Sequence, residues 1–229
     1  MKDNIFKRIE QKYILSKKEY EDIQELIKEY FFKDKYYESK ISNIYYDNDN
    51  NDMLINSLEK PIFKKKIRAR SYGESDTIYF EIKEKYKGIV YKRRVKLSNS
   101  EYNNYLNDRS IKDGDNKQIM KEIDYYINYY KIHPYVYVAY DRLSYYCKFD
   151  NEFRITFDSN LRYRFDNLEC NNDNDTINYF DNDKYIMEVK CLETLPYWFV
   201  KYLSKNKIIP RSFSKVGSIY LKERGFSLC

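Results

Sequence analysis

The sequence predicts an α+β fold: an antiparallel β-barrel of about eight strands with flanking helices. Three observations carry this. Short stretches alternate between charged and apolar residues with a period of two, the spacing that puts i, i+2 and i+4 on one face of a strand. Three such stretches follow one another within Lys64–Lys96: Lys66, Arg68 and Arg70; Glu81, Lys83 and Lys85; Lys92, Arg94 and Lys96. Their opposite rows are partly apolar, with Ile67 and Ala69, then Phe80 and Ile82. Tyr72-Gly73-Glu74-Ser75-Asp76 and Lys87-Gly88 supply the turns of a three-stranded meander. Helical spacing and capping signals lie between the strands rather than inside them.

An ordinary sheet with its polar face in water would alternate in the same way. The charge balance argues against that reading. Lys64–Lys96 holds twelve Lys and Arg against four Asp and Glu, a net +8, whereas the whole chain carries +6. The remainder is slightly acidic. Like charges on neighbouring strands repel, so a face built this way calls for a polyanionic ligand that relieves the repulsion.

Along the chain, Phe6 to Leu15 reads as a strand, with Arg8, Glu10 and Lys12 on one face and Ile9 on the other. Ser16 with Glu19 is a capping box, and the helix it opens carries Tyr20, Ile23, Ile27, Tyr30 and Phe31 as its apolar stripe. Ile41 to Tyr46 is a second strand, Asp47 to Asn51 a turn, and Asp52 to Leu58 a short helix before Pro61 and the meander. Ser98 and Glu101 make a second capping box, for a helix ending near Asn107. Asp113-Gly114-Asp115 breaks the chain before a helix from Gln118 to Tyr130, which His133-Pro134 stops. Tyr135 to Asp141 is a strand with Arg142 at its end. Phe153, Ile155 and Phe157 alternate with Arg154, Thr156 and Asp158, and Arg162 and Arg164 continue the basic spacing. Asp166 to Lys184, rich in Asn and Asp, reads as an exposed loop or a frayed hairpin. Tyr185, Met187 and Val189 alternate with Glu188 and Lys190. Pro196 opens a helix over Tyr197 to Leu203, and a last helix covers Lys215 to Arg224. No repeat or linker divides these elements, so residues 1–229 are expected to form one domain.

Composition excludes several classes. No run of about 20 apolar residues is present to span a membrane, and the start MKDNIFKRIE lacks the apolar centre of a signal peptide. Cys147, Cys170, Cys191 and Cys229 form no CxxC pair and no zinc spacing. His133 is the only histidine, which all but removes His-based metal binding or catalysis. A reduced, cytoplasmic protein is expected. The core draws heavily on tyrosine, with 28 Tyr and 13 Phe, which suits a sheet wall with one wet side.

The charged rows recur in Arg8/Glu10/Lys12, Lys66/Arg68/Arg70, Glu81/Lys83/Lys85, Lys92/Arg94, Arg154 and Glu188/Lys190. If helices cover the apolar faces, a barrel of this size encloses room for one slender ligand among the charged ones. A lining of Lys and Arg accepts linked phosphates, Arg bidentately and Lys as a mobile point charge. The few carboxylates, Glu10, Glu81 and Glu188, could hold a hard divalent cation that bridges phosphate oxygens. No GxxxxGK[ST] loop and no GxGxxG is present.

These pieces resemble the polyphosphate polymerase domain of the vacuolar transporter chaperone (VTC) complex, within the triphosphate tunnel metalloenzymes. The matching segments are RIEQKY (Arg8–Tyr13), IYYDN (Ile44–Asn48), KIRAR (Lys66–Arg70), FEIKEK (Phe80–Lys85), YKRRVKL (Tyr91–Leu97), YDRLSY (Tyr140–Tyr145), RITFD (Arg154–Asp158), MEVK (Met187–Lys190) and FSKV (Phe213–Val216), in family order. The resemblance implies a barrel whose tunnel holds polyphosphate. It further implies transfer of the terminal phosphate of ATP onto that chain, with release of ADP and the help of Mn2+ or Mg2+. Carried over by motif, Lys12, Arg68, Arg70, Lys83, Lys92, Arg142, Arg154 and Lys215 bind phosphates, and Glu188 ligates the metal. Glu10 and Glu81 either join Glu188 or orient a neighbouring cation. Arg8 stands where the hydrolytic relatives of ExExK pattern have a Glu, which trades a metal ligand for a phosphate-binding cation. A triphosphatase or polyphosphatase on the same fold, and a non-catalytic polyphosphate binder, are the competing readings. Nucleic acid is disfavoured because an enclosed tunnel excludes bases.

Overall fold

Alternating stretches become strands wherever their apolar row finds a helix to cover it. The computed structural model describes residues 8–59, 61–87, 89–110, 117–170, 172–180 and 183–226. Phe6, Gly88, the Asp113-Gly114-Asp115 break and Cys229 lie outside them. The described elements, in chain order, are β1 (Arg8–Ser16), α1 (Lys17–Tyr30), β2 (Phe31–Asp47), α2 (Asp52–Leu58), β3 (Phe63–Tyr72), β4 (Thr77–Tyr86) and β5 (Ile89–Ser98). There follow α3 (Asn99–Asp108), α4 (Lys117–Tyr130), β6 (His133–Cys147), β7 (Arg154–Arg164), β8 (Ile177–Asn178), β9 (Lys184–Leu192), α5 (Tyr197–Lys205) and α6 (Lys215–Glu223). The fold is α+β, as expected.

Strands pair in the order β1-β9-β7-β6-β2-β3-β4-β5, with β8 against β7. The pairs β1/β9, β7/β9, β2/β3, β3/β4 and β4/β5 are antiparallel. Among the described residues the ladder is an open path rather than a closed ring, with β1 and β5 at its ends. β5 presents Lys92, Arg94 and Lys96 along its length, and rows of like charge discourage edge pairing.

The chain gathers into two compact units. The first comprises Met1–Lys40, Tyr140–Leu161 and Asn178–Ser214. Its core joins Tyr13 and Leu15 of β1, Ile23 and Ile27 of α1, Ile155 and Phe157 of β7, Met187 and Val189 of β9, and Phe199 of α5. The second comprises Ile41–Ala139, Arg162–Ile177 and Lys215–Cys229. There Ile67 and Ala69 of β3, Phe80 and Ile82 of β4 and Val95 of β5 pack against Tyr102 and Tyr105 of α3 and Ile123 and Ile127 of α4. These are the apolar rows of the meander.

Both capping boxes form. Ser16 accepts from the Glu19 amide and Ser98 from the Glu101 amide, and each glutamate accepts in return from the cap backbone. Ser98→Ala, or Ser16→Ala, is expected to lower stability by about 0.5–2 kcal/mol in a denaturant titration. The short helix α2 is capped from a distance: the buried Asp47 carboxylate accepts from the amides of Met53 (3.0 Å) and Leu54 (2.9 Å).

Three elements differ from expectation. β2 begins at Phe31 rather than Ile41, because Phe31 leaves the helical stripe and packs against Phe153 (5.3 Å) and Trp198 (6.1 Å). β6 runs past Arg142 to Cys147, since Tyr145 and Cys147 continue the alternation into the first core. The Asn/Asp-rich segment is tied down in its first half. Arg164 donates to the carbonyls of Asp166, Asn167, Glu169 and Asn174, and Arg162 clasps Asp173 at 2.7 Å. Its short strand β8 bonds to β7. The three described cysteines are buried free thiols. Among the described residues no helix is long and apolar enough to cross a membrane.

Candidate functional site

Register decides which side chains share a face. β3/β4 pairing sets Arg68 opposite Glu81, Lys66 opposite Lys83 and Lys64 opposite Lys85. β4/β5 pairing then sets Glu81 opposite Arg94, Lys83 opposite Lys92 and Tyr79 opposite Lys96. Directly opposed residues lie on one side of a sheet. One face of the meander therefore carries Lys64, Lys66, Arg68, Arg70, Lys83, Lys85, Lys92, Arg94 and Lys96, with Glu81 as its one carboxylate. Two cations of the stretch face the other way. Lys65 pairs with Glu84 at 3.1 Å, and Arg93 bridges Glu84 (2.8 Å) and Glu122 of α4 (2.6 Å). The cationic face is therefore purer in sign than the stretch as a whole.

Glu81 is the hub of this face. Its side chain is 0% exposed. Arg68 donates through Nε and approaches through Nη2, both at 2.8 Å from Oε2, while Lys92 Nζ stands 2.6 Å from Oε1. Burial pushes the Glu81 carboxyl up, but Arg68, Arg70 and Lys92 together hold it below the usual carboxylate range. Of the two roles open to Glu81, the geometry is that of an orienter: both oxygens engage cations. Arg70 is buried and donates from Nε to Asn43 Oδ1 at 2.7 Å. Lys85 and Arg94 are exposed, and the Arg94 guanidinium lies 4.6 Å from the Tyr79 ring centre.

β2 adds Tyr45 directly opposite Arg68, whose Nη1 donates to the phenol at 3.3 Å. Burial raises the Tyr45 pKa, but Arg68, Arg70 and Lys66 lower it further, to about 7. Because the folded value lies below the unfolded one, about 10, the phenolate contributes stability fully present above that unfolded value. That contribution is lost as pH falls through about 7. One tyrosinate absorbance step is thus expected near neutral pH, and Tyr45→Phe should abolish it. A first step only near pH 10 would contradict this.

The first unit holds the second charged row. β1/β9 pairing sets Lys12 opposite Glu188 and Glu10 opposite Lys190, and β7/β9 pairing adds Arg154 opposite Lys190. Lys12 Nζ lies 3.8 Å from both Glu10 and Glu188 and donates to the Phe213 carbonyl at 3.2 Å. Lys190 Nζ is 2.6 Å from Glu188. Arg154 is exposed and donates to the Asn151 carbonyl. Arg142 makes a two-point clasp on Asp158, Nε to Oδ1 at 2.6 Å and Nη2 to Oδ2 at 2.7 Å. Burial alone would lower its pKa, but Asp158 holds it well above the ordinary arginine value. Lys215 is buried at the first position of α6, in the second unit. Arg8 opens β1, and its side chain lies outside the described set.

Among the described residues no group of three or more His, Cys, Asp or Glu is placed to hold an ion. Glu10 and Glu188 share a face and the Lys12 ammonium, while Glu81 is engaged in the other unit. Two carboxylates suit a Mg2+-like ion that takes the rest of its shell from phosphate oxygens and water. Asn43, Tyr45 and Asp158 were not singled out from sequence. A lone Asn inside a strand otherwise rich in Ile and Tyr was the one available signal.

The VTC domain model matches residues 7–220 of the chain. No curated protein matches it. Among solved structures, a candidate adenylate cyclase from Bacillus halodurans superposes with a TM-score of 0.55 at 13% identity, covering 91% of this chain and 95% of that one. A candidate adenylate cyclase from Vibrio parahaemolyticus gives 0.51 at 10%, covering 94% and 98%. A candidate adenylyl cyclase from Hippeastrum, with a dominant triphosphatase activity, gives 0.52 at 12%, covering 96% and 97%. At such identities the likeness establishes the fold alone, which this chain shares with those proteins.

Proposed function

The chain belongs to the VTC domain family, and from that premise we propose that it is an ATP-dependent polyphosphate polymerase. The terminal oxygen of an inorganic polyphosphate chain attacks the γ-phosphorus of ATP. The bond to the β,γ-bridging oxygen breaks, ADP leaves, and the chain grows by one phosphate. The observation that carries this reading is the face of nine cations around one carboxylate. A lone carboxylate there holds Arg68 and Lys92 in place without cancelling the row.

Phosphoryl transfer asks for in-line positioning and neutralised charge, with little covalent help from the protein. Arg68, Arg70 and Lys83 hold the nucleotide phosphates. Arg142, Arg154 and Lys215 steady the transferring group, and Arg8, Lys12, Lys66, Lys85, Lys92, Arg94 and Lys190 grip the chain. Glu188, with Glu10 beside it, would hold Mn2+ or Mg2+, which supplies further neutralisation of phosphate oxygens. No general base is needed, because a phosphate terminus is already anionic. The whole chain acts as one functional domain in this reading, and ATP and polyphosphate are its ligands.

A triphosphatase is the second reading, favoured by the fold shared with the Hippeastrum protein. Arg8 in place of a metal carboxylate weighs against activation of water. A non-catalytic polyphosphate binder is the third. Incubation with ATP and Mn2+, read by a polyphosphate gel beside a free-phosphate assay, separates them. A ladder with ADP and little phosphate supports the polymerase. Phosphate without a ladder overturns it in favour of the hydrolase. Neither product, with salt-dependent polyphosphate binding, leaves the binder.

A further inference from the structure

We propose that Asn43 is the positioning residue that aims Arg70 at phosphate, an inference that rests on the proposed function. Asn43 lies on β2 directly opposite Arg70 in the β2/β3 register. It is fully buried, and both ends of its amide are used. Nδ2 donates to the Val138 carbonyl of β6 at 3.0 Å, and Oδ1 accepts from Arg70 Nε at 2.7 Å. The carbonyl on one side and the guanidinium on the other leave only one orientation for the amide. Because the bond takes Nε, it fixes the direction of the Nη1/Nη2 edge, where Nη1 also reaches the Tyr72 hydroxyl at 3.4 Å; such an edge matches two phosphate oxygens.

The chemistry of the partner is the telling point. Arg68 is oriented by the carboxylate of Glu81, Arg142 by Asp158 and Arg162 by Asp173, whereas Arg154 and Arg164 donate to backbone carbonyls. The Asn43 bond orients its guanidinium with a neutral amide and so adds no negative charge beside it. A cation meant to meet an anion is best held by a dipole, since a carboxylate in that place would compete with the ligand. An aspartate would also forfeit the donor that anchors the side chain on Val138.

A double-mutant cycle tests this, with inorganic tripolyphosphate as the probe in titration calorimetry. Arg70→Ala and Asn43→Ala should each weaken binding by about tenfold or more, and the double variant should be no weaker than Arg70→Ala alone. Asn43→Asp should bind more weakly than Asn43→Ala, even if it melts at a similar temperature, because loosening alone cannot add a repulsive charge. If Asn43→Ala does not fold, Asn43→Ser takes its place in the same cycle. Additive losses, or an Asn43→Asp protein that binds as well as Asn43→Ala, overturn the assignment. Wild-type protein that takes up no tripolyphosphate overturns the proposed function, and this inference with it.

Discussion

Arg68→Ala and Glu188→Ala are each expected to slow polyphosphate synthesis by about 30- to 1000-fold. That range corresponds to the roughly 2–4 kcal/mol of transition-state stabilisation that one charged contact supplies in a preorganised site. The two losses should differ in kind. Arg68 meets Glu81 through two nitrogens and donates to Tyr45, so its removal also leaves a fully buried carboxylate beside Lys92. Arg68→Ala should therefore melt earlier as well as turn over more slowly. Arg68→Lys keeps a charge but loses the forked geometry, and should recover stability more than rate. Glu188 is neutralised by Lys190 at 2.6 Å and approached by Lys12 at 3.8 Å. Its loss should act through the metal: the Mn2+ concentration at half-maximal rate rises, whereas in Arg68→Ala it does not. Rates within about twofold of wild type in either variant would remove that residue from the site.

The local grammar of the chain was readable and its long-range pairing was not. Period-two alternation located all three meander strands, and Ser-x-x-Glu located the starts of α1 and α3, because both signals depend on residues within a few positions of each other. Phe31 misled for the same reason. Its spacing from Ile23 and Ile27 suits a helix, and only the distant Phe153 and Trp198 draw it into β2. Asp166–Lys184 reads from sequence as an exposed loop or a frayed hairpin because much of its order comes from Arg162 and Arg164, with Cys170 and Tyr179 its few buried residues among those described. At the site, the excess of cations was legible as composition. Which carboxylate faces which cation was not, since that needs the register: Glu81 and Glu188 look alike in sequence, yet one orients Arg68 and the other sits beside Lys12.

Asp158→Ala is expected to lower stability by about 3–5 kcal/mol, the usual consequence of stripping one partner from a buried ion pair. For a chain of this size that is a fall in melting temperature of about 6–20 °C. The Asp158 side chain is 0% exposed and Arg142 15%, and the clasp is two-pointed, so little water reaches the pair to soften the loss. Replacing both partners together, as in Asp158→Leu with Arg142→Met, should cost less than Asp158→Ala alone, because no buried charge is then left over. This comparison separates two roles of Arg142. If the clasp is only structural, the double variant regains stability and keeps synthesis near wild type. If Asp158 holds Arg142 ready for phosphate, the double variant regains stability but stays at least about tenfold slow. A stable, fully active double variant would remove Arg142 from the phosphate-binding set while leaving the roles of Arg68 and Glu188 untouched.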